Sequence, residues 1–453
     1  MLSYWKLHKF PILLLLLSLV LYSTFAYSLD RTDFPTLLSL FVALFFLCYK
    51  LIQFEKWNFK FLLVAGILFR LVFLIVEPNL SQDFYRFIWD GELVSNGINP
   101  YLYVPDKLIL QEDLVIANAQ ELYDGMGSLS ARHFSNYPPL NQAIFALASL
   151  LSGKSVLGAV IVMRLLIILA DIGILYFGRK LLSHLNRSTH NIFWYFVNPL
   201  VIIELTGNLH FEGVMLFFFV WSLYLLAKNK WLWAAVVYAL SISVKLVPIL
   251  FLPLFLTHFK FKKTVLFYSV IGGTILILLV PFFSSEFIDN YSQTIGLWFS
   301  NFEFNAGLYN AIKSIAVQFD GKPWILIKIY GKITPILTII VALLLTFLRK
   351  NESLPVLLTS MLLMLTFYYF TSATVHPWYI IFLVVLGVFS EYRYALLWSF
   401  TVILSYWAYS NADYKENLWL LTIEYIAVYG FLAYEIFKLK GEKLIFNKNQ
   451  ASN

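Results

Sequence analysis

The chain has 453 residues, of which 60% are apolar, 19% are aromatic and only 13% are charged. Charged residues make up about a quarter of a typical soluble domain, so this composition, with a mean hydropathy of +0.75, excludes an ordinary soluble fold and predicts an all-α polytopic membrane protein. The single cysteine, Cys48, excludes an intrachain disulfide, and the net charge of +7 does not by itself indicate a nucleic-acid partner.

Apolar runs of membrane-crossing length follow one another along the chain. They lie near residues 11–28, 34–51, 60–77, 156–178, 191–206, 211–227, 264–281, 333–348, 353–371, 377–390, 394–410 and 418–437. Because further spans follow the first run, we interpret that run as an uncleaved helix rather than a signal peptide. The pattern predicts one transmembrane domain, residues 1–453, with a bundle of about 12–14 helices.

The charges predict the orientation of these spans. With the N-terminus inside, most of the 33 basic residues fall in inner loops and most of the 26 acidic residues in outer ones. This parity requires that residues 137–153 form a re-entrant or interfacial helix. It also requires that residues 231–258 cross as two half-spans meeting near Lys245, which is tolerated only beside protein or a cavity.

Two long outer segments and a basic inner tail result from this orientation. The outer segments are 78–136, interpreted as a first catalytic loop, and 282–332, and the inner tail is 438–453. Long ordered loops tend to carry function, so we expect the site to involve the outer segments.

The stretch SQDFYRFIWDGELVSNGINPY opens the first outer segment with an unusual density of polar and aromatic residues. Asp83 and Asp90 are seven residues apart and share one face if the stretch is helical. Arg86 lies near both, and Tyr85 and Trp89 suit a membrane–water interface. Two interpretations stay open: a solvated interfacial helix in which Arg86 neutralises one acid, or a general base at the membrane surface.

Two further polar residues lie at the outer ends of spans. His376, in TVHPWY, is either an interfacial side chain or a hydrogen-bond donor to a phosphate or sugar. Lys245 lies in the broken span, and an ionisable residue there usually faces a cavity or a partner. That partner is a phosphate or a carboxylate such as Glu204.

The segment ELTGNLHFEG places Glu204, Asn208, His210 and Glu212 at one outer turn, which suggests the wall of a site. Two ligands with unremarkable spacing make His210 and Glu212 a weak metal motif.

Two arginines within spans need counter-charges. Arg164 and Asp171 are seven residues apart on one span, which favours mutual neutralisation, while Arg70 either snorkels or pairs with Glu77.

Several chemistries are not indicated by the sequence. It shows no glycine-rich nucleotide loop, no Cys/His cluster and no serine nucleophile elbow, so nucleotide chemistry is unsupported.

Five segments resemble, in order, those of bacterial membrane mannosyltransferases of the GT-C class. They are LSQDFYRFIWDGELVSNGINPY, NPLVIIELTGNLHFEG, SVKLVPILFLP, FNAGLYNAI and HPWY, spread over most of residues 60–390. The first is the most specific. The resemblance implies an inverting hexosyltransferase, with mannose as the expected sugar. Its donor is linked to a polyprenyl phosphate and its acceptor is a lipid or glycan, in a bacterial cytoplasmic membrane with the site facing outward.

The resemblance also implies residue roles. Asp83 matches the general base, and Lys245 and His376 are candidates for stabilising the leaving phosphate. The remaining substrate-binding candidates are Asp90, Arg86, Tyr85, His210 and Glu212. Asp90 either holds the shape of its segment or touches the sugar.

One departure from the family pattern concerns metal binding. The family often has a second Asp just before the base, where this chain has Gln82, so we expect no cofactor and no metal. Beside membrane lipids, donor and acceptor, no nucleic-acid partner is expected. The competing functions are a transporter or flippase of lipid-linked sugars, a glycan ligase or polymerase, and a non-catalytic scaffold.

Overall fold

The computed structural model describes the backbone of residues 2–300 and 302–451, and the side chains of residues 8–297 and 302–440. Most of the predicted inner tail, 438–453, therefore lies outside the described side chains. Within the described residues the secondary structure is helical, apart from one isolated β-bridge between Phe304 and Thr374. The predicted all-α class is confirmed.

Seven helices in the described part of the chain are long and apolar enough to cross a membrane, or eight if one sharply bent pair is a single span. They are His8–Tyr27, Phe34–Phe54, Val156–His184, Phe261–Phe282, Pro323–Phe347, Leu354–Thr371 and Leu418–Lys440, and the bent pair is Pro199–Gly207 with Glu212–Ala227. This is fewer than the predicted 12–14. Several apolar runs, including 231–258 and 377–390, fold into shorter helices and 3₁₀ turns instead of full spans.

The N-terminal spans are α1 (Leu2–Tyr27), α2 (Phe34–Phe54) and α3 (Phe59–Leu71). The Asp33 side chain accepts a hydrogen bond from the first turn of α2, and Asn58 does the same for α3. Polar caps thus fix where each apolar helix begins, and they leave a short linker between α1 and α2.

The first predicted outer segment and the ambiguous stretch after it fold into short helices. These are α4 (Asp83–Ser95), a 3₁₀ turn (Pro100–Leu102), α5 (Pro105–Leu108), α6 (Ala119–Ala131) and α7 (Pro139–Leu151). With 13 residues, α7 is about 20 Å long, shorter than the hydrocarbon core, which agrees with the predicted re-entrant or interfacial helix. It packs closely on α4 at Gly91, where an added Cβ would lie 2.4 Å from the carbonyl oxygen of Phe145.

The central region contains two breaks in the helical scaffold. Its elements are α8 (Val156–His184), a 3₁₀ turn (Thr189–Ile192), α9 (Phe193–Phe196), α10 (Pro199–Val201), a π turn (Ile202–Gly207), α11 (Glu212–Ala227), α12 (Trp231–Val244), a 3₁₀ helix (Val247–Leu254), α13 (Phe255–His258) and α14 (Phe261–Leu279). The chain bends by 115° between the π turn and α11. The second break is at Lys245, whose backbone is extended, so the predicted interruption of 231–258 is confirmed.

The C-terminal region completes the bundle. It comprises a 3₁₀ turn (Val280–Phe282), α15 (Ser285–Ser300), α16 (Gly307–Gln318), α17 (Pro323–Phe347), α18 (Leu354–Thr371), a 3₁₀ turn (Pro377–Tyr379), α19 (Ile380–Val388), α20 (Tyr394–Thr401), a 3₁₀ helix (Val402–Ser410) and α21 (Leu418–Ala451). In the apolar part of the span that includes α14, only 17% of the residues are buried, whereas in α18 the share is 56%. The apolar surface of α14 therefore faces outward from the bundle, as expected for a helix in contact with lipid.

Two buried arginines, Arg70 and Arg164, have partners that differ from the predicted ones. Arg70 forms an ion pair with Asp171 at 2.8 Å, with both side chains fully buried. Arg164 instead donates to four backbone carbonyls, those of Leu74, Val76, Thr206 and Gly207. The predicted Arg164–Asp171 pair is wrong, and so are both alternatives for Arg70, because the partner of Asp171 comes from another helix.

Candidate functional site

Asp83 is the first residue of α4 and is half-buried. Its backbone N–H donates to the side-chain hydroxyl of Ser81. The backbone N–H of Leu80 donates to the Asn208 side chain at 3.3 Å, which connects the segment before α4 to the break before α11. Among the described residues, none donates a hydrogen bond to the Asp83 carboxylate or forms an ion pair with it. The sequence thus places an unengaged carboxylate where a helix begins.

The charge of Asp83 affects the pKa of two tyrosines that other charged residues also affect. Burial raises the pKa of Tyr137 well above its usual value, and the charges of Asp83 and Glu212 add to that rise. Burial also raises the pKa of Tyr409; the charge of Arg31 opposes this rise and that of Asp83 adds to it. The charge of Asp83 therefore acts on the same tyrosines as those of Glu212 and Arg31, although these residues are far apart in the sequence.

Glu204 and His210 form a buried pair at the break before α11. Glu204 accepts hydrogen bonds from Tyr406 at 2.6 Å and from Asn208 at 3.1 Å. The Nδ1 atom of His210 lies 3.2 Å from Glu204 but outside hydrogen-bond geometry, so both imidazole nitrogens are buried without a partner. His210 thus keeps hydrogen-bonding capacity for a ligand, and the wall of a site at this turn stays a prediction.

Lys245 and Glu212 form an ion pair that connects the two breaks. The lysine side chain is 23% exposed, and Oε2 of Glu212 is buried without a partner. Of the partners considered for Lys245, the carboxylate is thus Glu212 rather than Glu204. The ammonium group has three donors, so one carboxylate oxygen leaves others for a ligand.

Four aromatic rings form a continuous stack through this site. The Trp378 indole lies 3.7 Å from the His210 ring and 4.4 Å from the His376 ring, and His376 lies 4.9 Å from Phe304 (centroid distances). Main-chain hydrogen bonds join Phe304 to residues 373–375. Both imidazoles stack on the indole, so the half-buried Trp378 sets the spacing of the two histidines.

His376 is a neutral side chain in this environment. Burial is the main cause that lowers its pKa to about 3, and the neighbouring His210, Lys245 and Arg31 act in the same direction. Its Nδ1 atom is buried without a partner. His376 can therefore give a ligand a neutral hydrogen bond, but it does not contribute a positive charge.

Arg31 adjoins the aromatic stack through Tyr409, which lies beside Phe304. The sequence reasoning missed this arginine. It lies in the linker between α1 and α2, and its guanidinium is 3.6 Å above the Tyr409 ring. Its Nε atom is buried without a partner. The sequence offers one weak signal, an arginine in a short predicted outer linker, but nothing there indicates contact with a tyrosine 378 residues further along.

Asp90 and Arg86 are engaged by the protein itself. The fully buried Asp90 carboxylate accepts from Arg86 at 2.7 Å, Ser135 at 2.5 Å and Gln142 at 3.2 Å. Arg86 also donates to the backbone carbonyls of Ser130 and His133. Of the roles left open for Asp90, holding the shape of the segment is the one that these contacts fit. Arg86 neutralises one acid, as one interpretation predicted.

Tyr85 points away from the histidine stack. Its ring lies against Gly125 in α6, where an added Cβ would come within 2.6 Å of it. Burial raises its pKa, and the carboxylates of Glu77 and Glu121 add to the rise. The structure thus does not bring Tyr85 to the other predicted ligands.

Gln82 donates its side-chain amide to the carbonyl of Met126 at 3.2 Å. Within the described part of the chain, no group of three or more His, Cys, Asp and Glu residues is placed to hold a metal. The expectation that no metal is used stays a prediction.

Residues 31–260 match the family described as alpha-(1->6)-mannopyranosyltransferase, N-terminal domain. The chain belongs to this family. Residues 208–314 also match the family described as ALG3 protein. The first match contains Arg31, Asp83, His210, Glu212 and Lys245, and it confirms the resemblance to membrane mannosyltransferases.

Two curated relatives carry the family name. Alpha-(1->6)-mannopyranosyltransferase A of Mycobacterium tuberculosis is 23% identical over 173 residues, 38% of this chain and 32% of the relative. Alpha-(1->6)-mannopyranosyltransferase B of Corynebacterium glutamicum is 24% identical over 146 residues, 32% of this chain and 23% of the relative. The matched part of the chain thus spans a third or less of each relative.

Proposed function

We propose that the protein is an integral membrane mannosyltransferase. It takes mannose from a polyprenyl-phosphate carrier and passes it, with inversion, to a hydroxyl group of a lipid or glycan acceptor. The observation that carries this proposal is the unengaged Asp83 carboxylate, whose charge acts on Tyr137 together with that of Glu212 and on Tyr409 together with that of Arg31. Glu212 in turn pairs with Lys245. A base beside a cluster of cations and donors suits transfer from a phosphate ester.

The reaction needs one proton acceptor and one anion site. Asp83 takes the proton of the acceptor hydroxyl as that oxygen forms a bond to C1 of the sugar. The bond between C1 and the phosphate oxygen breaks, and its electron pair leaves with the polyprenyl phosphate. Lys245 and Arg31 offset the growing charge, and His376 donates a neutral hydrogen bond.

The names of the relatives suggest the product. They specify an alpha-(1->6) bond, and an inverting enzyme makes an α bond from a β-linked donor. The first product to look for is therefore mannose joined to a 6-hydroxyl. Because the basic residues of the sequence concentrate in the opposite loops, the proposal places this chemistry on the outer face.

Asp83→Asn tests the proposal, since it keeps the side-chain volume and removes the base. We expect transfer from a polyprenyl-phosphate mannose donor, measured in reconstituted membranes, to fall by about 100- to 10,000-fold. The matched control is Asp113→Asn, an exposed acid of the same outer segment, which retains full activity.

Three results would contradict the proposal. Retained turnover in Asp83→Asn removes Asp83 as the base. Absence of transfer by the wild type, with movement of the intact lipid-linked sugar across the bilayer, identifies a flippase. Release of a whole glycan chain identifies a ligase or polymerase.

A further inference from the structure

A second polar cluster, most of it buried, begins at the residue that follows Phe304. It consists of Asn305, Asn310, Glu416 and Glu424, and we name it the Glu424 cluster. Asn305 follows Phe304 directly, Asn310 is in α16, and Glu424 is in α21 near the end that bears Glu416. None of these residues contacts Asp83 or Lys245 through a hydrogen bond or ion pair, and the proposed transfer reaction does not use them.

The four residues are connected by hydrogen bonds. Glu416 accepts from the backbone N–H of Asn305 through one oxygen and from the Asn310 amide at 3.1 Å through the other. Glu424 accepts from the Asn305 amide at 3.1 Å and from the Trp398 indole N–H at 2.8 Å, both through Oε1. The amide groups of both asparagine side chains thus point at the two carboxylates.

Three oxygens in the Glu424 cluster have no partner. They are Oδ1 of Asn305, Oδ1 of Asn310 and Oε2 of Glu424, on residues that are 1%, 2% and 0% exposed. Each belongs to a planar group whose other atom bonds within the cluster. An unsatisfied buried acceptor costs free energy, and three together point to a missing positive or donating partner.

The charge balance supports the same conclusion. The cluster holds two carboxylates, and among the described residues no Lys, Arg or His forms an ion pair with either of them. Glu424 is fully buried and Glu416 is half-buried, and a fully buried carboxylate is ordinarily paired or bound to a cation. The arrangement is therefore rich in oxygen acceptors and poor in positive charge.

We propose that the Glu424 cluster binds a hard divalent cation, with Ca²⁺ as the best fit. Carboxylate and amide oxygens are the ligands that Ca²⁺ takes in flexible geometry, and the cluster offers no soft ligand. Asn305, Asn310 and Glu424 supply the three open oxygens. The cation ties the segment before α16 to α21, and through Phe304 it supports the His376 end of the aromatic stack.

Terbium luminescence tests the proposal on the full-length protein in detergent. Tb³⁺ replaces Ca²⁺ at oxygen sites and is excited by nearby indoles, and the Trp398 N–H bonds directly to Glu424. We expect saturable Trp-sensitised emission that Ca²⁺ displaces, and a thermal unfolding temperature that rises with Ca²⁺. Glu424→Gln and Asn310→Ala each weaken binding by about tenfold or more. Glu303→Gln, which affects a half-exposed acid paired with Lys313, binds as the wild type does.

The outcomes distinguish a cation held by the Glu424 cluster from one bound to surface acids and from a proton on Glu424. Unchanged Tb³⁺ affinity in Glu424→Gln and Asn310→Ala overturns the proposal and assigns the signal to surface acids. A second result also overturns the proposal: the wild type shows no displaceable Tb³⁺, and Glu424→Gln is more stable than the wild type at neutral pH. That result indicates that Glu424 holds a proton instead of a cation. Because the readouts are emission and unfolding, neither result depends on sugar transfer.

Discussion

Lys245 and Glu212 join two interruptions of the helical scaffold that lie 33 residues apart in the chain. Glu212 opens α11 after the sharp bend, and Lys245 ends α12 at the second break. A discontinuous helix exposes backbone and polar groups that must be satisfied inside a membrane protein. The ion pair neutralises the two charged side chains at these breaks and leaves ammonium donors at the site.

This pair predicts that activity and stability can be separated by a second substitution. Lys245→Gln lowers transfer by about 10- to 100-fold, the loss expected for one charged hydrogen bond to phosphate. It also lowers the free energy of unfolding by about 1–3 kcal/mol, because the Glu212 carboxylate is left buried and unpaired. The double variant with Glu212→Gln regains stability but not activity, as measured by thermal unfolding and donor turnover. Lys107→Gln, an exposed lysine in α5, serves as the control; recovery of activity in the double variant contradicts the phosphate role.

Arg31 should be as important to the donor as Lys245. Arg31→Gln removes a guanidinium held over the Tyr409 ring and lowers kcat/KM for the donor by about 10- to 100-fold. Arg31→Lys keeps the charge and retains an intermediate rate, since the planar stacked group is lost. The control is Arg132→Gln, an exposed arginine at the end of α6. Equal rates for wild type and Arg31→Gln remove this residue from the site.

The neutral state of His376 predicts how stability depends on pH. Its pKa falls from an ordinary 6.5 to about 3 on folding. Between these values the unfolded chain binds the proton and the folded chain does not, so stability decreases as pH falls through that window. We expect the unfolding temperature of the wild type to drop more between pH 7.5 and pH 5 than that of His376→Gln. An equal drop in the two proteins shows that His376 is charged in the folded state.

The buried Arg70–Asp171 pair predicts a specific energetic coupling. Asp171→Asn or Arg70→Met alone destabilises the fold by about 3–5 kcal/mol, because each leaves an uncompensated buried group. The double variant costs less than the sum of the two. Arg164→Met also destabilises, by freeing four carbonyls, but its effect adds to that of Asp171→Asn without coupling. A double-mutant cycle measures both, and coupling between Arg164 and Asp171 contradicts the structure.

Much of the site follows from local sequence. The unusual polarity of the stretch after residue 80, the ionisable residue in a broken span and the histidine at a span end are each visible in one window. Such residues are costly in a membrane protein, so each signals a partner or a cavity. Of these residues, Glu212 and Lys245 form an ion pair, His210 and His376 both stack on Trp378, and the charge of Asp83 acts on Tyr137 together with that of Glu212.

The predictions that failed depend on the tertiary structure. Arg164 and Asp171 share a helix face, yet Asp171 is bound by Arg70, 101 residues before it. Arg31 reaches the site only because the α1–α2 linker packs against the chain near Tyr409. Hydropathy registers apolar length but not the 3₁₀ and π turns that interrupt it, so several predicted spans are shorter or broken helices in the described part of the chain. Spacing along one segment carries no information about any of these.

The aromatic stack contains residues that are synthesised at very different times. The base, the cations and the first histidine are present once residue 245 has been made, but the neutral donor at 376 and the ring at 409 come much later. Phe304 and Trp378 hold that donor in place only when both segments have entered the bundle. A nascent chain therefore lacks part of the proposed site until nearly all of it has been synthesised.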